Sequence, residues 1–312
     1  MIDVYDLTRR YGRLEAMTGV TLEVGEGEIF GFLGPNGAGK TTTINMLCTL
    51  MRPTSGRASV NGFDVVRQRS EVRRSIGLVF QQPTLDETLT AEQNVRFHAY
   101  AYGVPGQLRE PRIRELLNLV DLWDRRRSKV RTFSGGMKRR LEIARGLLHR
   151  PRVLFLDEPT LGLDPQTRRR IWEYLAELRA RERLTIFLTT HYMDEAEHCD
   201  RIAVIDHGRV VALDSPAGLK SAVGGDLITI ATGDGESAAE ELRSRYGVTP
   251  SVTDGTVSFQ VVAGEAFLPD FVRGFSQPME AIGLRRPTLD DVFLNLTGRE
   301  IRDPEAKADA QP

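Results

Sequence analysis

The sequence predicts an α/β domain built on a mostly parallel sheet, followed by a smaller α+β domain. Three observations predict it. Ile29-Phe30-Gly31-Phe32-Leu33, Val153-Leu154-Phe155-Leu156 and Thr185-Ile186-Phe187-Leu188 are continuous apolar runs that end in polar loops, the pattern of strands buried on both faces. Segments with helical periodicity separate them. Past Pro216 the pattern changes to short strands alternating with two helices.

In chain order, the first run leads through a glycine-rich loop into a helical stretch over 42–50. Residues 84–132 hold no obvious strand. With the helix behind Ser134, which carries Met137, Leu141, Ala144 and Leu148 at helical spacing, they are expected to form a helical subdomain, about 84–150, inserted into the α/β core. Asp164 reads as the N-cap of the next helix, with Pro165 in the first turn and Ile171, Leu175 and Leu178 on one face. Ile202–Ile205 and Val210–Leu213, joined by Asp206-His207-Gly208-Arg209, read as a closing hairpin.

The first domain is expected over 1–220 and the second over 221–302. The second reads strand (Leu227–Ala231), helix (Glu236–Tyr246), strand near Val248–Val252, strand (Thr256–Val262), helix (Glu265–Gly274, with Pro269 inside) and strand (Met279–Leu284). That order is a split βαβ sandwich. A last helix follows Thr288, with Leu289, Val292, Phe293 and Leu296 on one face and Gly298 as its stop. So apolar a face must bury, on its own subunit, with packing on the first domain expected, or on the same domain of a second copy; the alternative is a helix that only completes its own domain's core. The polar tail, 303–312, is expected to be disordered.

Composition narrows the function. Lys+Arg 42 against Asp+Glu 43 leaves a formal net charge of -1, which gives no support to nucleic-acid binding. Cys48 and Cys199 have no metal-ligand spacing and read as reduced thiols. No stretch approaches the roughly 20 apolar residues that span a bilayer, and Met1–Tyr5 lack the basic head and apolar run of a signal peptide.

Gly34-Pro35-Asn36-Gly37-Ala38-Gly39-Lys40-Thr41 fits G-x-x-x-x-G-K-[ST] between a predicted strand and a predicted helix. Its glycines let backbone N–H groups turn inward around an anion, and the helix N-terminus adds partial positive charge. Lys40 is a mobile charge for the outer phosphates, and the Thr41 hydroxyl is a ligand for Mg²⁺. Asp157-Glu158 end the Val153–Leu156 strand, and two carboxylates at the end of a buried strand want a cation. Asp157 suits Mg²⁺, and Glu158 suits the polarising of an attacking water.

With these motifs on one chain, residues 1 to about 220 resemble an ABC-transporter nucleotide-binding domain, a P-loop NTPase with an inserted helical subdomain. Ser134-Gly135-Gly136 resembles the ABC signature, which grips the γ-phosphate of ATP held by the opposite subunit. Gln81, after Ile76–Phe80, resembles the Q-loop glutamine that senses Mg²⁺ and the membrane partner. Leu163-Asp164 resembles the D-loop, His191 the switch histidine, and Tyr11 the aromatic that stacks on adenine. The resemblance implies ATP and Mg²⁺ as ligands. Catalysis is expected from Glu158, His191 and Gln81. ATP contacts are expected from Tyr11, Gly34 to Thr42 and, through Ser134, Gly135, Gly136 and Asp164, from a second subunit. Metal binding is expected from Thr41, Gln81 and Asp157. The Arg125–Arg127 and Arg168–Arg170 runs read as solvated faces.

Two departures from the family pattern mark a branch. The signature is flanked by Phe133 and Met137 rather than Leu and Gln, and the D-loop reads Leu161-Gly162-Leu163-Asp164. Both, with Lys138-Arg139-Arg140-Leu141 and Pro287–Leu294, resemble the daunorubicin-resistance type of exporter. That resemblance implies an ATPase motor at the cytoplasmic face of the membrane, held there by a separate permease and paired with a second copy of itself. A soluble ABC ATPase acting on nucleic acid or the ribosome is the alternative; such proteins usually carry two nucleotide domains, long heptad arms or zinc cysteines. A binding-only regulator with a dead site fits poorly with intact Lys40, Glu158 and His191. The C-terminal domain is expected to serve assembly or regulation rather than catalysis.

Overall fold

The computed structural model describes residues 1–298 apart from Asp254, and nothing is described of the Glu182 side chain. The expected disordered tail, 303–312, lies outside the described residues. The chain divides into two compact units, Met1–Leu213 and Asp214–Pro312.

The first unit opens with β1 (Ile2–Tyr11), β2 (Leu14–Val24), β3 (Ile29–Leu33), α1 (Lys40–Leu47), β4 (Ser55–Val60) and β5 (Phe63–Asp64). It continues through α2 (Arg69–Ser75), β6 (Ile76–Val79), α3 (Ala91–Ala101), α4 (Gly106–Leu119), a 3₁₀ turn at Val130–Thr132 and α5 (Gly135–Gly146). It ends with β7 (Val153–Asp157), α6 (Pro165–Glu182), β8 (Thr185–Thr190), α7 (Met193–Ala196), β9 (Arg201–Asp206) and β10 (Arg209–Asp214).

Two sheets organise it. An antiparallel sheet has the order β2-β1-β4-β5, and a six-stranded sheet the order β10-β9-β3-β8-β7-β6. In the second, β9, β3, β8, β7 and β6 pair in parallel. Every residue of β3, β7 and β8 is buried, which is why these segments carry no alternation of apolar and polar residues. Phe187 lies at the centre, its ring centroid 5.5 Å from those of Phe30 and Phe155 and 5.7 Å from that of Phe32. The turn into β10 passes through His207 and Gly208, both at positive φ, as a two-residue hairpin turn requires.

The parallel arrangement fixes where chemistry can occur. Loops at the carboxyl ends of β3, β7 and β8 lie side by side, because Leu33 pairs with Thr190 and Asp157 with Thr189. Ligands of open α/β sheets bind at this edge. Between β6 and β7 the chain detours through α3, α4 and α5, with no named strand. Thr90 starts α3 with a reciprocal capping box to Gln93.

The second unit runs α8 (Pro216–Val223), β11 (Asp226–Ala231), α9 (Gly235–Tyr246), β12 (Ser251–Thr253), β13 (Thr256–Val261), α10 (Gly264–Gly274), β14 (Ala281–Arg285) and α11 (Leu289–Thr297). Its sheet has the order β12-β13-β11-β14 with antiparallel pairing throughout. This is the split βαβ order that the sequence predicts. The strand expected from Val248 starts only at Ser251, behind Pro250, which has no N–H to give a ladder. Phe259, Phe271 and Leu242 fill the core between sheet and helices. Pro269 is accommodated inside α10.

The final helix departs from expectation in one respect. Leu289, Val292 and Phe293 are buried, but Leu296, in the last turn beside the Gly298 cap, is 39% exposed. Helix α11 packs against α8 of the same unit, so a partner for it lies inside the second unit.

Phe187→Ala removes the ring that three others pack upon. It should destabilise the first unit by about 3–5 kcal/mol, read as a lower urea midpoint at unchanged m-value.

Candidate active site

The site is built from the end of β3 onward. Gly39 is the residue before α1 and adopts φ 105; a Cβ there would also lie 2.7 Å from the Ala16 carbonyl oxygen. Only glycine suits both demands. Its turn delivers Lys40 as the first residue of α1, 5% exposed. Lys40 Nζ donates to the carbonyls of Gly34 at 2.7 Å and Pro35 at 3.2 Å, so the loop itself aims the ammonium. Pro35, Asn36 and Gly37 line the loop's outer side, Ala38 is buried beneath it, and Thr41 and Thr42 follow on the first turn of α1.

β7 brings the two carboxylates. Asp157 Oδ1 accepts from the hydroxyls of Thr189 at 2.6 Å and Thr41 at 3.3 Å. Burial pushes its carboxyl above the ordinary range, partly opposed by those two bonds. Glu158 stands at φ 45, in the left-handed region, where a non-glycine residue carries strain of order 1–3 kcal/mol. Its N–H donates to the Thr189 backbone oxygen at 3.2 Å and hydroxyl at 3.1 Å, which holds the kink. The kink turns the carboxylate toward three predicted residues. Lys40 Nζ lies 3.2 Å away, Gln81 Nε2 donates at 2.9 Å, and His191 Nδ1 lies 3.4 Å away. Burial alone would raise the carboxyl of Glu158, but His191 and Lys40 outweigh it and leave the group below its ordinary range. It is therefore an ionised acceptor.

The remaining predicted residues take up other bonds. Ser134 Oγ caps α5 by accepting from the Met137 N–H at 3.3 Å. Asp164 caps α6, accepting from the Thr167 N–H at 2.9 Å and hydroxyl at 2.6 Å. These two turns touch: a Cβ on Gly136 would meet Thr167 Cγ2 at 2.4 Å, and one on Gly135 would meet Leu163 Cδ2 at 3.4 Å. Tyr11, at the end of β1, is 42% exposed, with its hydroxyl donating to Met51 Sδ at 2.9 Å and Arg9 over its ring.

Sequence reading missed three contributors. Arg139 of α5, 5% exposed, donates to the carbonyls of Pro159 at 2.6 Å, Asp157 at 2.9 Å and Glu158 at 3.0 Å, and to that of Phe80. It thus clamps the backbone of both carboxylates and the residue before Gln81. The signal was an arginine three residues after Gly136 on the buried face, paired at 3.3 Å with the buried Glu142. Thr189 follows directly on the apolar run that ends at Leu188 and carries no sequence signal of its own. Arg168 was placed on a solvated face with Arg169 and Arg170. Those two are exposed, but Arg168 is half-buried and donates to the Leu163 carbonyl at 3.0 Å, because its position just past the α6 cap folds it back over the preceding turn.

The arrangement, a phosphate loop, a lysine and a carboxylate pair at the carboxyl edge of a parallel sheet, is nucleotide-hydrolysis geometry. Residues 17–161 match the ABC transporter family. The daunorubicin resistance ATP-binding protein DrrA2 of Streptomyces coeruleorubidus is 44% identical, over 96% of this chain and 96% of its own length. The chain belongs to the ABC transporter ATP-binding family. The linearmycin resistance ATP-binding protein LnrL of Bacillus subtilis is 36% identical over 97% of this ABC chain and 100% of its own. Among solved structures, a dimeric ATP-binding cassette in a post-hydrolysis state bound to ADP and Pi matches with a TM-score of 0.62 and 30% identity, over 69% of this chain and 98% of its own. The chain is thus an ATP-binding cassette with the P-loop NTPase fold, and an ATPase. Among its described residues no helix is long and apolar enough to cross a membrane.

One buried group of this cassette lies just beyond the site. Glu195 of α7 is 2% exposed, its carboxylate set beside the Thr190 side chain and within the fields of Arg168 and His191. Burial, with Asp194 adding to it, pushes its carboxyl up to about 7. A carboxyl raised in the folded state contributes stability that is complete below the unfolded value near 4.5 and is lost as pH rises through about 7. Glu195→Gln removes that loss. Thermal melts should show the variant close to wild type near pH 4 and more stable above pH 7, by roughly 3 kcal/mol at full effect.

Proposed function

We propose that this chain is the motor subunit of an ABC exporter, binding ATP with Mg²⁺ and driving a separate membrane permease. The observation that carries the hydrolytic part is the convergence of Lys40, Gln81 and His191 on the one carboxylate of Glu158. Glu158 orients and polarises the attacking water. Gln81 and His191 hold that carboxylate in place, and His191 adds a polar group on the γ-phosphate side. The phosphates lie against the backbone of Gly34 to Thr42, with Lys40 on the outer two. Tyr11 stacks on the adenine, for which an exposed ring at a strand end is suited.

The Mg²⁺ assignment fits the donors present. The Thr41 hydroxyl and Asp157 carboxylate are hard oxygen donors meeting at 3.3 Å, and Mg²⁺ takes one or two such groups beside substrate phosphates and water. Gln81 lies on the same side of the site through its bond to Glu158. Held by these residues, Mg²⁺ would supply positive charge to neutralise the phosphates. The incoming triphosphate competes for Lys40, and the carboxylate of Glu158 is then free for water.

A single chain holds half of each site. Ser134, Gly135 and Gly136 at the start of α5, with Asp164 beside them, are assigned to ATP on a second copy, where the helix N-terminus favours the γ-phosphate. The dimeric post-hydrolysis cassette supports this pairing. Export as the purpose is supported by the names of relatives: besides the two resistance proteins, a Nod factor export ATP-binding protein of Burkholderia orbicola is 40% identical over 97% of this chain. A permease would hold the subunit at the cytoplasmic face of the membrane. The exposed aromatics Phe97 and Tyr100 of α3 offer it an apolar foothold. To the C-terminal unit we assign a role in assembly.

Glu158→Gln should keep ATP binding and reduce turnover by orders of magnitude, because the water loses its carboxylate while the phosphate loop is untouched. Lys40→Ala should weaken binding of ATP itself. Filter binding and a phosphate-release assay on both variants check this; Glu158→Gln turning over at near the wild-type rate refutes the assignment.

A further inference from the structure

Arg168 lies between the Leu163-Asp164 turn and the loop that follows β8. Its Nε is committed to the Leu163 carbonyl at 3.0 Å, in the turn that presents Asp164. The same guanidinium sits 4.0 Å from the ring centroid of Tyr192. That ring lies 4.1 Å from the ring of His191, tilted by 38°, and His191 faces Glu158. β8 fixes the backbone up to Thr190, so the imidazole's remaining freedom is rotation of its side chain. The Tyr192 ring restricts that rotation, and Arg168 restricts the Tyr192 ring. On the other side, α6 rests on the signature turn: the Thr167 methyl fills the space over Gly136, and Leu163 approaches Gly135.

We propose that Arg168 is a positioning residue for His191, acting through the ring of Tyr192 and tying the signature and Leu163-Asp164 turns to the hydrolytic carboxylate. A planar guanidinium can donate to a carbonyl from its edge while its face covers an aromatic ring. Lysine cannot do both at once, since its ammonium is a point donor. The proposal rests on the reading of Glu158 as the base and His191 as its neighbour in catalysis. It adds a physical route by which displacement of the signature turn, when a second copy's ATP docks on it, reaches the chain's own site.

Steady-state ATPase kinetics of the full chain test it, with Arg168→Ala, Arg168→Lys, Tyr192→Leu, Tyr192→Phe and the Arg168→Ala/Tyr192→Leu double variant. Arg168→Ala and Tyr192→Leu should each lower kcat about tenfold, the scale of a sub-ångström misplacement, with KM for ATP within about twofold of wild type. The double variant should be no slower than the slower single one, because both break one chain of contacts. Tyr192→Phe keeps the ring and should restore most of the rate, whereas Arg168→Lys should not. Should Arg168→Ala fail to fold, Arg168→Lys and Tyr192→Leu carry the same test. Near-wild-type kcat in Arg168→Ala, or fully multiplicative losses in the double variant, overturns the proposal. Glu158→Gln measured alongside separates the two failures. If it stays active, the base assignment is wrong; if it is dead while Arg168→Ala is normal, only the role of Arg168 is wrong.

Discussion

The buried charge at the end of β7 is the constraint from which the rest of the site follows. A strand covered on both faces delivers Asp157 and Glu158 into an interior where an unmatched carboxylate costs several kcal/mol. Each is matched differently. Asp157 is bound by neutral hydroxyls, from Thr189 and Thr41. Glu158 is met by a cation, Lys40, and flanked by Gln81 and His191. That division suits the tasks proposed for them: hydroxyl-bound Asp157 keeps lone pairs for a metal, while Glu158 shares a cation that a triphosphate would also want.

The backbone is arranged to keep this match in register. The positive φ of Glu158 is unfavourable by itself, and it persists because bonds from both sides over-determine it. Thr189 holds the Glu158 N–H, and Arg139 holds the carbonyls of Asp157, Glu158 and Pro159. Arg139 comes from α5, the signature helix, and its further bond to Phe80 brings the Gln81 loop into the same clamp. One buried guanidinium therefore joins the helical insert, the Q-loop and the carboxylates. Five N–H donors in a fixed fork make arginine the residue able to do this.

The legible part of the sequence was the part governed by local patterns. The continuous apolar runs announce β3, β7 and β8, since strands buried on both faces admit no alternation. Gly39 and Lys40 announce the phosphate loop because the turn demands glycine and the next position puts a cation at the start of a helix. The succession of strands and helices in the second unit is likewise legible, from its short apolar segments and two helical stretches. What stayed hidden depends on side chains crossing between distant segments. Arg139 reads as one more arginine in an arginine-rich chain until α5 is laid against β7. Arg168 looks solvated in a three-arginine run until its side chain folds back on Leu163 and Tyr192. Leu296 shares the helical spacing of its buried neighbours, and only the end of α11 distinguishes it.

On the proposed function, Lys40, 3.2 Å from Glu158, is shared between that carboxylate and the triphosphate. Calorimetric titration of wild type and Glu158→Gln with a non-hydrolysable ATP analogue and Mg²⁺ tests it most directly. Sharing predicts that the variant, whose amide no longer competes for the ammonium, binds the analogue several-fold more tightly than wild type. Equal or weaker binding by Glu158→Gln would contradict it.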